Sequence, residues 1–182
     1  LTLRRLKEAA SVRYVANPLG LYIHIPFCKK RGAYCDFYSS FFDTELVKQY
    51  LTVLKKEIKK WGGKTDRPVD TVYIGGGTPS LLGKSAGTLI KAVKNYFDVT
   101  DDAEITVEAN PESCTEGFLS SILENGANRL SLGVQSFRDD ELRTLSRIHN
   151  ASAARNAYFI AKSMGFKNIS LDLMMGLPNS DI

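Results

Sequence analysis

Cysteine is scarce in this chain, with three in 182 residues. An odd number cannot pair completely, and Cys28 and Cys35 lie among Lys29, Lys30 and Arg31, a setting for thiolate chemistry in a reducing compartment rather than a disulfide scaffold. Long apolar runs are missing too. No stretch of about 18 apolar residues is present to span a membrane, and Leu1 to Val15 has no apolar centre of a secretory signal, so the cytoplasm is the expected location. Excess charge of one sign is absent: 24 Lys and Arg against 20 Asp and Glu leave +4, which gives no mandate for nucleic acid. With 43% apolar and 24% charged residues the composition excludes a disordered or collagen-like chain. A single folded domain is expected, and a start at Leu1 with an end just after Leu177-Pro178-Asn179-Ser180 suggests a fragment.

What is present is an alternation of short β-rich runs with longer helical ones, the pattern of a parallel sheet covered by helices. Strands are expected at 21–26, 71–75, 105–109, 129–135 and 168–174. Helices are expected at 43–61, 85–97, 115–125, 139–149 and 152–164. The first has Leu46, Tyr50, Leu54, Ile58 and Trp61 at helical spacing, Asp43 or Thr44 as cap and Gly62-Gly63 as stop. Gly165 is the expected stop of the last. Lys55, Lys56, Lys59 and Lys60 read as a solvated helix face, and residues 1–20, with Arg4, Arg5, Lys7 and Arg13, as a basic N-terminal extension.

In parallel α/β folds the chemistry collects where the strands end and the βα loops open. The first strand runs into Cys28 to Cys35, the second into Gly75-Gly76-Gly77-Thr78-Pro79, the third into Glu108-Ala109-Asn110-Pro111 and the fourth into Gly133-Val134-Gln135-Ser136. The fifth carries Asp172. The glycine run is followed by no Gly-Lys-Ser/Thr and is not G-x-G-x-x-G, so neither a P-loop nor a dinucleotide fingerprint is present. It suits a ligand lying against bare backbone. His24 reads as a hydrogen-bonded interior histidine, and His149 as a partner for a helix C-terminus.

Taken together these segments, with Leu21 to Cys28, Tyr34-Cys35-Asp36-Phe37, Leu130 to Phe137 and Leu173 to Pro178, resemble the radical SAM family of oxygen-independent coproporphyrinogen III oxidases and the related heme chaperones known as HemW. The resemblance implies an α/β fold, a partial parallel (βα) barrel of the TIM-like type ending after its fifth strand. Residues 21–182 would form the core, without the family's sixth strand and C-terminal domain. It implies S-adenosylmethionine as cofactor, held by Tyr22, Tyr34, Gly76, Gly77, Thr78, Glu108, Gln135, Arg147 and Asp172. Glu108 and Asp172 would meet ribose hydroxyls and Arg147 the methionine carboxylate. It further implies a 4Fe-4S cluster on cysteines of a C-x-x-x-C-x-x-C motif, an electron donor of the flavodoxin or ferredoxin kind, and heme or porphyrin as partner. Cys35-Asp36-Phe37, where the oxidases continue with Gly-Cys, resembles the chaperone branch, whose role is heme delivery to respiratory hemoproteins. The oxidase reading, oxidative decarboxylation of two propionates, stands as the alternative.

One position departs from that pattern. The segment reads Cys28-x-x-x-Gly32-x-x-Cys35, so Cys28 and Cys35 are the only metal ligands it offers. Glycine has no donor atom, which puts the cluster in doubt. Three explanations stand: a lesion in an ordinary member, a lineage that kept the fold as a silent binding module, or recruitment of Cys114.

Overall fold

The structure is a computed structural model that describes residues 17–178 and 180. Of the expected basic extension, residues 1–20, residues 1–16 lie outside the described residues, and its last two, Leu19 and Gly20, open the first strand. All five expected strands form: β1 (Leu19–Ile25), β4 (Val69–Gly76), β5 (Val99–Ala109), β6 (Arg129–Gln135) and β7 (Asn168–Leu173). They make one parallel sheet in the order β1-β4-β5-β6-β7. Each strand is laid beside the one before it and the order never reverses, which is the winding of a (βα) barrel wall rather than of a doubly wound sheet. Two elements were not legible in the sequence, β2 (Phe27–Cys28) and β3 (Ser40–Phe41), a parallel two-residue pair that closes the cysteine loop at its base.

Period-two alternation divides the sheet into two unlike faces. Ile23, Ile25, Val72, Ile74, Val107, Leu130, Leu132 and Val134 join one buried apolar cluster with helix residues such as Leu51, Leu89, Phe118 and Ala157. On the other face several residues are polar and bonded to one another. Arg129 reaches Thr106 at 3.3 Å and Ser170 at 3.1 Å, Ser170 reaches Ser131 at 3.0 Å, and Ser131 donates to Asp172 at 3.0 Å.

The helices are α1 (Thr44–Gly62), α2 (Ser85–Tyr96), α3 (Glu116–Glu124), α4 (Asp139–Thr144) and α5 (Ala151–Ser163). Asp43, Thr115 and Asn150 cap α1, α3 and α5 by accepting from Leu46, Phe118 and Ala153 backbone N–H groups. Gly165, at φ +112°, ends α5 as expected. The fourth helix is shorter than the expected 139–149. It breaks at Ser146, φ +59°, because Arg147 and His149 turn toward the ends of β5 and β6 and bond there. His149 is therefore no helix-end partner.

Where α2 crosses α3, a Cβ on Gly87 would lie 2.3 Å from the Ser121 carbonyl oxygen. Alanine is normally worth about 1 kcal/mol over glycine inside a helix. Here the sign reverses: Gly87→Ala is expected to cost about 1–3 kcal/mol in urea unfolding, because the helices must move apart.

Candidate functional site

The strand ends enclose a cavity of about 410 Å³ lined by Tyr34, Gly76, Gly77, Thr78, Glu108, Gln135, Arg147 and Asp172, together with Cys35, Tyr73 and Asn110 among others. Residues up to 138 positions apart in sequence, from Tyr34 to Asp172, meet here because parallel pairing brings the C-terminal ends of β4, β5, β6 and β7 to one rim. Eight of the nine expected cofactor residues line this cavity. Tyr22 does not. It stands 60% exposed on β1, bonded through its hydroxyl to His24 Nδ1 at 3.0 Å and stacked on Tyr73, with ring centroids 6.1 Å apart. His24 is hydrogen-bonded as expected, its Nε2 lying 3.0 Å from the Tyr38 carbonyl, but it is half-buried rather than interior, because β1 is an edge strand of the sheet.

Each glycine of the Gly75-Gly76-Gly77 run answers a close approach. Gly75 faces the Glu108 carboxyl, with 2.9 Å between its imagined Cβ and Cδ. Gly77 lies against the Phe27 carbonyl at 2.7 Å on the same measure and donates its N–H to the Ile25 carbonyl. Gly76 has φ +119°, out of reach of an L side chain without strain, and so turns its N–H onto Glu108 Oε2 at 3.0 Å. Glu108 Oε1 accepts from the Tyr73 hydroxyl at 2.7 Å. Burial first, then the hydrogen bond to Glu108 and its charge, push the Tyr73 phenol far above its ordinary range, so it remains a donor.

Asn110 ties the rim together and was not singled out by sequence. Its Nδ2 donates to Thr78 Oγ1 at 3.1 Å and its Oδ1 accepts from Arg147 Nη2 at 2.7 Å. Arg147 also donates to the Gly133 carbonyl at 2.7 Å and to the Tyr34 hydroxyl at 3.4 Å. Its Nε is buried without a hydrogen-bond partner. An orphaned guanidinium donor on a residue lining the cavity suits an anionic group such as a carboxylate. Gln135 has φ +69°, one of two non-glycine residues with positive φ among those described, and that strain sits at the cavity rim. Glu108 and Asp172 line the same cavity as Arg147, so it offers groups of both signs to a zwitterionic ligand.

The sequence model of the Radical SAM superfamily matches residues 22–182. This chain belongs to the radical SAM superfamily. It is 40% identical over 172 residues to the heme chaperone HemW of Haemophilus influenzae, covering 91% of this chain and 45% of that protein. It is likewise 40% identical over 171 residues to HemW of Escherichia coli, with 91% and 44% covered. Among solved structures it is similar to the Escherichia coli coproporphyrinogen III oxidase HemN, a radical SAM enzyme, with TM-score 0.83, 32% identity, 99% of this chain and 42% of that chain covered. The chain thus spans less than half the length of these relatives. The radical SAM fold, a partial TIM-like barrel, is as the sequence implied.

The cysteine loop is where the radical SAM donor set fails. Cys35 lines the cavity, and Cys28 is buried with its sulfur 3.8 Å from Thr78 Oγ1. Between them Gly32 makes a turn, its carbonyl accepting from the Cys35 N–H at 3.1 Å, and Ala33 donates to the Leu145 carbonyl at 3.3 Å. Among the described residues no three His, Cys, Asp or Glu side chains are grouped to hold a metal ion. Two thiolates cannot hold three irons of a cubane, so the residues present do not fit the cluster. Cys114 does not replace the missing donor: it is buried outside the cavity lining, and desolvation pushes its thiol up to about 12. Iodoacetamide at pH 8 is expected to label Cys35 in the folded chain and to reach Cys114 only after unfolding, read by peptide mass spectrometry.

Proposed function

We propose that this chain is the S-adenosylmethionine-binding core of a cytoplasmic, HemW-like heme chaperone, heme being the cargo that the complete protein would deliver to respiratory hemoproteins. The observation that supports it is the convergence of Tyr34, Gly76, Gly77, Thr78, Glu108, Gln135, Arg147 and Asp172 on one cavity in a chain 40% identical to HemW proteins. The chemistry of the lining agrees. Arg147 would take the methionine carboxylate, Glu108 and Asp172 the ribose hydroxyls, and the Gly76-Gly77 backbone would lie against the methionine amino end. When bound to a reduced cluster in this superfamily, S-adenosylmethionine supplies a 5'-deoxyadenosyl radical. The residues of this chain bind and orient the cofactor; with Gly32 between the two thiolates they do not supply the cluster's third ligand, which favours a binding role. No helix among the described residues is long and apolar enough to cross a membrane.

The test is calorimetric titration of the iron-free chain with S-adenosylmethionine. Saturable binding is expected, weakened about tenfold or more by Arg147→Ala through loss of a charge-assisted contact. Absence of binding, or binding indifferent to Arg147→Ala, removes the proposal. Coproporphyrinogen oxidation remains the second reading because of the likeness to HemN. It predicts that a full-length relative carrying this core with Gly32→Cys, given a flavodoxin- or ferredoxin-like donor, converts coproporphyrinogen; the chaperone reading predicts stoichiometric heme binding and no conversion.

A further inference from the structure

His149 is a buried titratable group with no place in the proposed cofactor contacts. Its side chain has 0% exposure, and both ring nitrogens are engaged by acceptors on other elements. Nε2 lies 3.0 Å from the Val134 carbonyl at the end of β6, and Nδ1 lies 3.2 Å from Glu112 Oε2, in the turn after β5. A carbonyl can only accept, which puts a proton on Nε2. Burial by itself would raise the Glu112 pKa, but the His149 hydrogen bond, backbone N–H and the Arg147 and His149 charges outweigh it and hold the carboxyl below its ordinary range. Glu112 meets Nδ1 as a carboxylate, which can likewise only accept, so this bond needs a proton on Nδ1 as well and joins a doubly protonated ring to a carboxylate inside the protein.

His149 and its Nε2 partner Val134 both adjoin residues that line the cavity. Val134 immediately precedes Gln135, the residue held at φ +69° on the rim. His149 is two residues beyond Arg147, whose guanidinium bonds Asn110 and Gly133 with its Nε left unpartnered. The α4–α5 connection that carries both residues has given up helical geometry at Ser146 to bring them inward. A segment of irregular backbone keeps one conformation only when its surroundings over-determine it. The anchors here are the Arg147 contacts on one side and the His149 contacts on the other, beside the Ala33 N–H on the Leu145 carbonyl and the Ala151 N–H on the Asp139 carboxylate.

We infer that His149 and Glu112 are positioning residues for the cofactor site: the buried pair fixes the α4–α5 connection against the ends of β5 and β6, and so aims Arg147 Nε and holds Gln135 in its left-handed conformation. This rests on the reading of the cavity as an S-adenosylmethionine site, but it makes a demand on the protein even without ligand. The Arg147 Nε–H, buried and fixed, gives a slowly exchanging signal in an ¹H–¹⁵N spectrum, identified by its loss in Arg147→Lys.

The experiment compares His149→Gln, Glu112→Gln and the double variant with the parent chain; all keep the side-chain volume nearly constant, so the chain stays folded. Calorimetry with S-adenosylmethionine, the urea midpoint and the Arg147 Nε–H exchange rate are measured for each. Expected are a loss of affinity of about tenfold or more in each single variant, the size usual for a residue that orients a binding group, and faster Nε–H exchange. The double variant is expected to cost no more than the worse single one, since both remove the same bond. A role in stability alone lowers the urea midpoint but leaves affinity and exchange of the folded chain unchanged, and that result overturns the inference. If the parent chain takes no S-adenosylmethionine, the functional reading fails by itself. The Arg147 exchange rate then decides the positioning role: acceleration in both single variants sustains it, and parental exchange rejects it.

Discussion

Anaerobic reconstitution of the 182-residue chain with ferrous iron and sulfide is expected to yield no stable 4Fe-4S cluster, whereas Gly32→Cys is expected to gain one. Three cubane irons need three protein ligands, and this loop offers Cys28 and Cys35 with a bare backbone turn between them. The gain has a local cost. A Cβ at position 32 would lie 2.8 Å from Cε1 of Tyr34, so that ring must swing aside, loosening its 3.4 Å contact with Arg147. The nearest atom is the far end of a side chain, while the Leu145 carbonyl oxygen, 3.3 Å away, must also give a little, and the expense is about 1 kcal/mol. Visible absorbance, iron and sulfide content, and the EPR signal after reduction read the outcome. A full complement of cluster iron in the parent chain, matching that in Gly32→Cys, would show that another ligand completes the site.

Gly76→Ala is expected to abolish cofactor binding and to destabilise the fold by about 3 kcal/mol, the sum of two independent penalties. One is conformational: φ +119° lies outside what an L-residue adopts without strain. The other is steric, since the new Cβ would sit 2.6 Å from His24 Cε1 and 3.0 Å from the Ile25 carbonyl, at the last register pair of β1 and β4. Relief by rotating the peptide removes the N–H from Glu108 and leaves that carboxylate short of a partner. Gly83 provides the comparison. It also has positive φ, +52°, but nothing lies within 4 Å of its imagined Cβ, so Gly83→Ala is expected to cost only about 1 kcal/mol and to leave binding intact. Equal losses at the two positions, in urea midpoint and in titration with S-adenosylmethionine, would refute the argument from close approach.

Much of the fold was legible because its signals are local. Period-two runs of Val, Ile and Leu gave β1, β4, β6 and β7 within a few residues, and Asp43 and Gly165 marked helix ends by cap chemistry alone. The start of β5 was hidden, since Thr100-Asp101-Asp102 has none of the apolar alternation of Ile105 to Ala109 and pairs irregularly with β4. The end of α4 was hidden for a different reason. Leu145 to His149 has adequate helix formers, and only bonds to Asn110, Gly133, Glu112 and Val134, distant in sequence, pull that segment out of the helix.

The site divides along the same line. Residue types at strand ends and their order along the chain were enough to identify the superfamily and to name eight residues of one cavity, and a glycine in place of a thiolate ligand is a fact of sequence alone. Tertiary structure decided which of the candidates meet. It turned Tyr22 aside onto Tyr73, buried Cys114 outside the cavity lining, and made Asn110, inconspicuous in the sequence, the link between Thr78 and Arg147. The physical reason is that periodicity fixes which face of a strand a side chain takes, whereas distances between strand ends depend on register and loop closure, which no local pattern encodes.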